Sequence, residues 1–253
     1  MKKIVRVAVS NNFNCTAAEW AQLDTIQAQH PDKTFFVNSN IMTPDLISIN
    51  DHPYKAVITV NPNLVVPEYK VLHKLDYIAP SKIGFLRVKW VPGPLLPGIR
   101  SLIDSLLDRD YAVVITLQRY QKTATLLKYT SREYYEHTCS RFRLAGEALK
   151  EVETYVDSRQ ALNLKAYICD RTGKGCSGCG QCATLTMGKP AEICSLNLST
   201  SGTCPYSCPD CYAKCMSNFS EKMGHAPIRF DVIHKNHKQS GQTAHIKHAM
   251  ATA

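Results

Sequence analysis

The sequence predicts an α/β fold with a parallel sheet, closed or partly closed into a (β/α) barrel. Three observations lead there. Short β-branched apolar runs recur seven times. Helical patterns stand between them, and strand, helix, strand repeated this often means parallel pairing with crossover helices. The runs are almost continuously apolar, as strands covered on both faces must be. Seven strands favour a full or incomplete barrel over a doubly wound sheet.

The expected strands are Ile4–Val9, Thr34–Val37, Ala56–Val60, Ile83–Val88, Ala112–Leu117, Leu164–Ile168 and Cys194–Leu198. Between the first two, Thr16 with Glu19 three residues on reads as a capping box, opening a helix that buries Trp20, Leu23 and Ile26 and stops before Pro31. Ile99, Leu102, Ile103, Leu106 and Leu107 recur at i, i+3, i+4, i+7 and i+8, the stripe of an amphipathic helix. A long helix is expected from Ser131 to about Val156, with Tyr135, Cys139, Phe142, Leu149, Val152 and Val156 on one stripe. That stripe makes Cys139 a core residue and not a ligand. Neither an internal repeat nor a low-complexity linker divides the chain. The simplest organisation is one α/β domain over 1–215 with a cysteine-rich metal-binding part at 169–215, then a mobile C-terminal extension over 216–253.

The 253 residues are 44% apolar and 20% charged, a composition that builds a packed core. The net charge of +9 suits a polyanionic partner such as nucleic acid or a nucleotide, although the Lys and Arg residues are dispersed. Five of the nine histidines follow Gly224 in a polar segment with little periodicity. Met1-Lys2-Lys3 runs straight into an apolar strand pattern, so no signal peptide is expected. No apolar run approaches the roughly 20 residues that cross a bilayer. The expectation is a cytoplasmic protein with no membrane partner. G-x-S-x-G, P-loop and H-E-x-x-H patterns are missing, which argues against the hydrolytic and nucleophilic-cysteine classes.

Nine of the eleven cysteines fall between Cys169 and Cys215. A disulfide framework would spread along the chain, so this clustering points to metal. Cys204, Cys208 and Cys211 form C-x3-C-x2-C inside T-C-P-Y-S-C-P-D-C-Y-A, after the last expected strand. Three thiolates in so short a loop can converge on one centre and leave one iron of a four-iron cluster open. Cys176, Cys179 and Cys182 form C-x2-C-x2-C, the first three positions of a bacterial ferredoxin run, with Cys194 or Cys169 as candidate fourth ligand. Thiolates bind zinc as readily as iron–sulfur centres, so a zinc knuckle or ribbon is the rival. Cys215 is a spare ligand or a free thiol.

The expected strands run into polar groups at their C-terminal ends: Asn38-Ser39-Asn40, Asn61-Pro62-Asn63, Arg87-Val88-Lys89, Gln118-Arg119-Tyr120, Asp170-Arg171 and Ser199-Thr200. In a parallel barrel these ends share one face, where sites are built. Arg87 and Arg119 stand out, because a cation near a barrel mouth is costly without a purpose.

C-x3-C-x2-C after a short strand resembles the signature of radical S-adenosylmethionine enzymes. In the usual pattern an aromatic residue precedes the third cysteine and the motif follows the first strand. Here Asp210 stands in that place with Tyr212 after it, and the motif follows the last strand. The run Thr203-Cys204-Pro205-Tyr206-Ser207-Cys208-Pro209-Asp210-Cys211-Tyr212-Ala213 is similar to the C-terminal motif of a group of radical-SAM-like proteins in bacteria and phages. Glu19-Trp20, Ile58-Thr59-Val60-Asn61-Pro62 and Arg87-Val88-Lys89-Trp90-Val91-Pro92 resemble other points of that group. The resemblance implies a permuted TIM-type barrel and a radical enzyme. It implies one or two [4Fe–4S] clusters, the first on Cys204, Cys208 and Cys211, and S-adenosylmethionine as cofactor. Asn197, Ser199 and Thr200, with Arg87, Arg119 and Asn61, would contact the cofactor. The implied partners are a small-molecule or nucleotide-like substrate and an electron donor such as flavodoxin or ferredoxin. No G-G-E run follows any strand.

Overall fold

A computed structural model of the chain describes residues 4–8, 12–60, 67–138, 141–169, 181–188, 191, 193–198 and 229–232. Its frame is one sheet with the strand order β10-β9-β1-β2-β3-β4-β5-β8. The strands are β1 (Ile4–Val7), β2 (Thr34–Asn40), β3 (Lys55–Val60), β4 (Ile83–Trp90), β5 (Val113–Leu117), β8 (Ala166–Ile168), β9 (Ile193–Asn197) and β10 (Arg229–Val232). A separate hairpin pairs β6 (Tyr135–Thr138) with β7 (Arg141–Leu144). Six parallel pairings join β9 through β8, and β10 pairs antiparallel with β9 on the edge. The expected extension over 216–253 thus contributes β10, and its other residues lie outside those described.

The winding runs in one direction. From β1 the chain steps outward through β2, β3, β4, β5 and β8, then returns to lay β9 on the free side of β1. Right-handed crossovers taken in one direction put every crossover helix on one face. That order is compatible with a partial (β/α) fold, and β8 and β9 do not pair among the described residues. The parallel α/β sheet is as expected, and full closure is absent there.

The crossover helices are α1 (Ala17–Gln29), α2 (Glu68–Leu75), α3 (Leu96–Asp108) and α5 (Gly146–Ala161), with the short α4 (Thr123–Leu127) in an excursion after β5. Their apolar stripes share one core with Val5, Val37, Ile58, Leu86, Val88 and Ile115. The α1 capping box forms as read: Thr16 Oγ1 accepts from the Glu19 backbone N–H at 3.3 Å, and Glu19 Oε2 accepts from Thr16 N–H at 3.1 Å. Asn14 N–H also donates to Glu19 Oε1 at 3.1 Å. These backbone donors let the Glu19 carboxylate be buried completely. None of the described helices is long and apolar enough to cross a membrane.

The expected helix over Ser131–Val156 is corrected. Its first half is the β6–β7 hairpin, and α5 begins only at Gly146, whose φ of +54° favours glycine. In β7, Phe142 and Leu144 are buried while Arg141 and Arg143 are exposed, a period of two. Tyr120 then decides the outcome. Its N–H donates to the Phe142 carbonyl at 3.1 Å, and Phe142 N–H donates back at 2.7 Å. Cys139 lies outside the described residues.

The second face of the sheet carries a smaller core of Ile4, Phe36, Val57, Phe85, Val114 and Ile193. It is covered by α6 (Gln181–Met187), through Cys182 and Ala183. The approach is close at Gly84, where β3 and β4 slip register between Ala56 and Val57. A Cβ on Gly84 would meet Thr186 Cγ2 at 2.8 Å.

Candidate functional site

Alternation along the strands divides the second face into two bands. Toward the strand N-termini it is apolar and lies under α6. Toward the C-termini the same face carries Arg6 on β1, Asn38 and Asn40 on β2, Thr59 on β3, Arg87 and Lys89 on β4, and Thr116 on β5. The cause lies in β4. It reads Phe85-Leu86-Arg87-Val88-Lys89-Trp90, and Leu86, Val88 and Trp90 belong to the helix-side core. Period two sends Arg87 and Lys89 to the opposite side. The register sets Arg87 between Thr59 and Val114, Asn40 beside Thr59, and Lys89 beside Thr116.

This band is buried as well as polar. Arg6 and Lys89 are only 9% and 8% exposed, Asn38, Asn40 and Gln118 are buried, and Arg87 is half-buried. Some hydrogen-bonding capacity is used locally. Asn40 Oδ1 accepts from Met42 N–H at 3.0 Å, Asn38 Nδ2 donates to the Ala8 carbonyl at 3.5 Å, and Gln118 Nε2 donates to the Arg119 carbonyl at 3.3 Å. Arg87 Nε, Asn38 Oδ1 and Gln118 Oε1 are buried without a hydrogen-bond partner among the described residues. The Arg87 guanidinium lies 5.7 Å from the Phe85 ring centroid. None of the inward positions on β1 to β5 is an Asp or Glu. At Arg87 the band offers a cationic donor, the chemistry that receives an anionic group.

Of the expected cofactor contacts, Arg87 belongs to this band. Arg119 is half-buried at the exit of β5, next to Gln118. Asn197 ends β9 opposite Arg229. Asn61, Ser199 and Thr200 lie outside the described residues. Sequence reading passed over Arg6, and it took Asn38, Asn40 and Lys89 for exit residues, whereas β2 and β4 run on to include them. The available signal was the alternation of Arg and Lys with Leu, Val and Trp in β4.

Of the expected metal ligands, Cys169 and Cys182 are described. Cys169 follows β8, extends its ladder by donating its N–H to the Ile115 carbonyl at 2.8 Å, and packs half-buried against the second-face core. Cys182 is buried in that same core from α6. Cys194 is a backbone partner of Val5 and of Val232. Cys176, Cys179, Cys204, Cys208 and Cys211 lie outside the described residues. No group of three His, Cys, Asp or Glu suited to a metal occurs among the described residues. Cys15, apart from both motifs, is a core thiol: burial pushes its pKa up to about 12, against the lowering effect of a hydrogen bond with Ser39.

Comparison with protein-family models, with curated proteins and with solved structures finds no match to this chain.

Proposed function

We propose that this chain is a radical S-adenosylmethionine-type iron–sulfur enzyme acting on an anionic small molecule. The observation that carries the reading is one of direction. All seven parallel strands end at the same edge of the sheet, the polar band lies toward that edge, and the C-x3-C-x2-C run begins shortly after β9 leaves it. Thiolates are the donors such a cluster needs, and the chain supplies them in one stretch. Cys169 and Cys182, two of the candidate ligands for a second centre, pack on a single apolar core, which supports their belonging together.

In this reading Cys204, Cys208 and Cys211 hold a [4Fe–4S] cluster. Cys176, Cys179 and Cys182, with Cys194 or Cys169, hold a second. Bound with S-adenosylmethionine, the cluster supplies one-electron reduction and hydrogen-atom abstraction. Arg87 receives an anionic group, and the apolar half of the face under α6 keeps water from the site. A flavodoxin or ferredoxin supplies electrons. The permuted barrel is part of the same proposal.

Anaerobic reconstitution with iron and sulfide tests it. Brown protein with roughly four to eight irons per chain, an EPR signal on reduction and 5′-deoxyadenosine formed from S-adenosylmethionine are expected. Colourless protein that retains stoichiometric zinc under those conditions overturns the reading in favour of a zinc-binding α/β protein with a basic nucleic-acid-binding surface.

A further inference from the structure

We infer that Arg87 and Thr59, neighbours on β4 and β3, form a recognition site for a carboxylate group. This deepens the proposed function by naming the anion. It rests on that reading only in assigning the carboxylate to a substrate or to the methionine part of the cofactor. Binding itself needs no metal.

Arg87 Nε is buried and has no hydrogen-bond partner among the described residues. Leaving a guanidinium nitrogen in that position is unfavourable. An arginine that serves the fold alone faces a carboxylate of the chain, as Arg159 faces Asp104 and Arg100 faces Glu151 on the helix side. Around Arg87 the register instead sets one row across the second face: Asn40, Thr59, Arg87, Val114 and Tyr167, from β2 to β8. That row holds one cation and no acid. Arg6 and Lys89, the other cations of the band, engage partners of their own and do not enter this count. A single unpaired positive charge suits a single negative one, which is what a carboxylate carries. A phosphomonoester carries close to two at neutral pH.

Shape points the same way. The Arg87 guanidinium lies 5.7 Å from the Phe85 ring centroid, an attraction that helps to fix its plane. A planar guanidinium with an unused Nε–H meets a planar carboxylate through paired N–H donors. Thr59 is the register partner of Arg87, on a strand about 4.8 Å away. Its half-buried hydroxyl makes no hydrogen bond among the described residues, and it can donate to the same carboxylate. Arg87 is itself half-buried, so the pair is open to a small ligand.

The test uses the full chain, metal-free and under reductant, labelled with nitrogen-15. The Arg87 Nε–H resonance, identified by its loss in Arg87→Lys, is followed by NMR against propionate, propionamide and methyl phosphate. Propionate should shift it saturably, propionamide should leave it in place, and methyl phosphate should act several-fold more weakly. Thr59→Val, close in shape, should weaken propionate about tenfold, the loss of one hydrogen bond to a charged group. Arg141→Met, in the exposed part of the hairpin, should change nothing. No saturable shift with propionate overturns the inference, as does an equal shift with propionamide. Tighter binding of methyl phosphate overturns the carboxylate assignment. Unaltered propionate binding in Thr59→Val, or equal weakening in Arg141→Met, overturns the pairing of Arg87 with Thr59. On the reconstituted chain, displacement of labelled propionate by S-adenosylmethionine assigns the carboxylate to the cofactor, and simultaneous binding of the two assigns it to the substrate. Propionate binding by a chain that never takes up iron keeps the carboxylate site and removes the radical-enzyme reading. No propionate response in a chain that forms 5′-deoxyadenosine does the reverse.

Discussion

Gly84→Ala should displace α6 from the sheet, and Thr186→Ser should restore it. The added Cβ would stand 2.8 Å from Thr186 Cγ2, while its next neighbours, the Ala56 carbonyl oxygen and Thr186 Cβ, lie at ordinary distances of 3.5 and 3.8 Å. Carbon atoms pack best near about 3.5–4.0 Å, so one methyl group must retreat by most of an ångström. A β-branched side chain on a helix has few alternative rotamers, and β4 is held on both sides by β3 and β5. Overpacking of this kind costs about 1–3 kcal/mol. At about 2–4 °C per kcal/mol for a chain of this size, Tm should fall by roughly 2–12 °C. Thr186→Ser removes only the offending methyl and keeps the hydroxyl that donates to the Cys182 carbonyl at 2.6 Å. Alone it should cost about 0.8 kcal/mol of lost burial. The double variant should be more stable than the sum of the singles by about 1–2 kcal/mol. Urea unfolding followed by circular dichroism reads the energies. Site-resolved alkylation of Cys182 reads the local opening and should quicken in Gly84→Ala and recover in the double variant. Additive single effects, or a neutral Gly84→Ala, would refute the packing of α6 on β4.

Three further outcomes are expected. Asp104 loses solvent through burial, which raises its pKa, yet hydrogen bonds from Arg159 and Tyr155 and the nearby Arg159 and Arg100 charges hold it below the usual carboxylate value; its contribution is therefore full above an unfolded pKa of about 3.9 and is lost as pH falls through the lower folded value, and Asp104→Asn should flatten that acid limb of the stability curve in a pH series of urea melts. Thr16→Ala removes the side-chain acceptor of the α1 capping box and should cost about 0.5–2 kcal/mol in the same melts, with little change in the near-ultraviolet spectrum. Replacing Cys204, Cys208 or Cys211 with Ala should abolish S-adenosylmethionine cleavage, whereas replacing Cys176, Cys179 or Cys182 should remove a separate EPR signal and leave the first cluster; loss of one and the same signal in both sets would show a single shared centre.

Local chemistry determined much of this protein without help from tertiary contacts. The Thr16–Glu19 capping box, the helical stripe from Ile99 to Leu107 and the apolar runs of β1 to β5 are legible because each signal lies within a few residues and burial rewards one period only. Spacing likewise exposed the two cysteine groups as candidate ligands. The residues from Tyr135 to Leu144 were not legible in this way. Their apolar positions satisfy a helical stripe and a hairpin alike, and the choice fell to backbone hydrogen bonds with Tyr120, a partner outside the window. The polar band had the same fate. Period two in β4 puts Arg87 and Lys89 on one face, but nothing in that segment says which face the helices cover. Only the one-directional winding from β1 through β2, β3, β4 and β5 to β8 decides it, by placing α1, α2, α3 and α5 opposite the two cations. A strand's alternation is written locally, whereas the meaning of its two sides depends on crossovers that close over tens of residues.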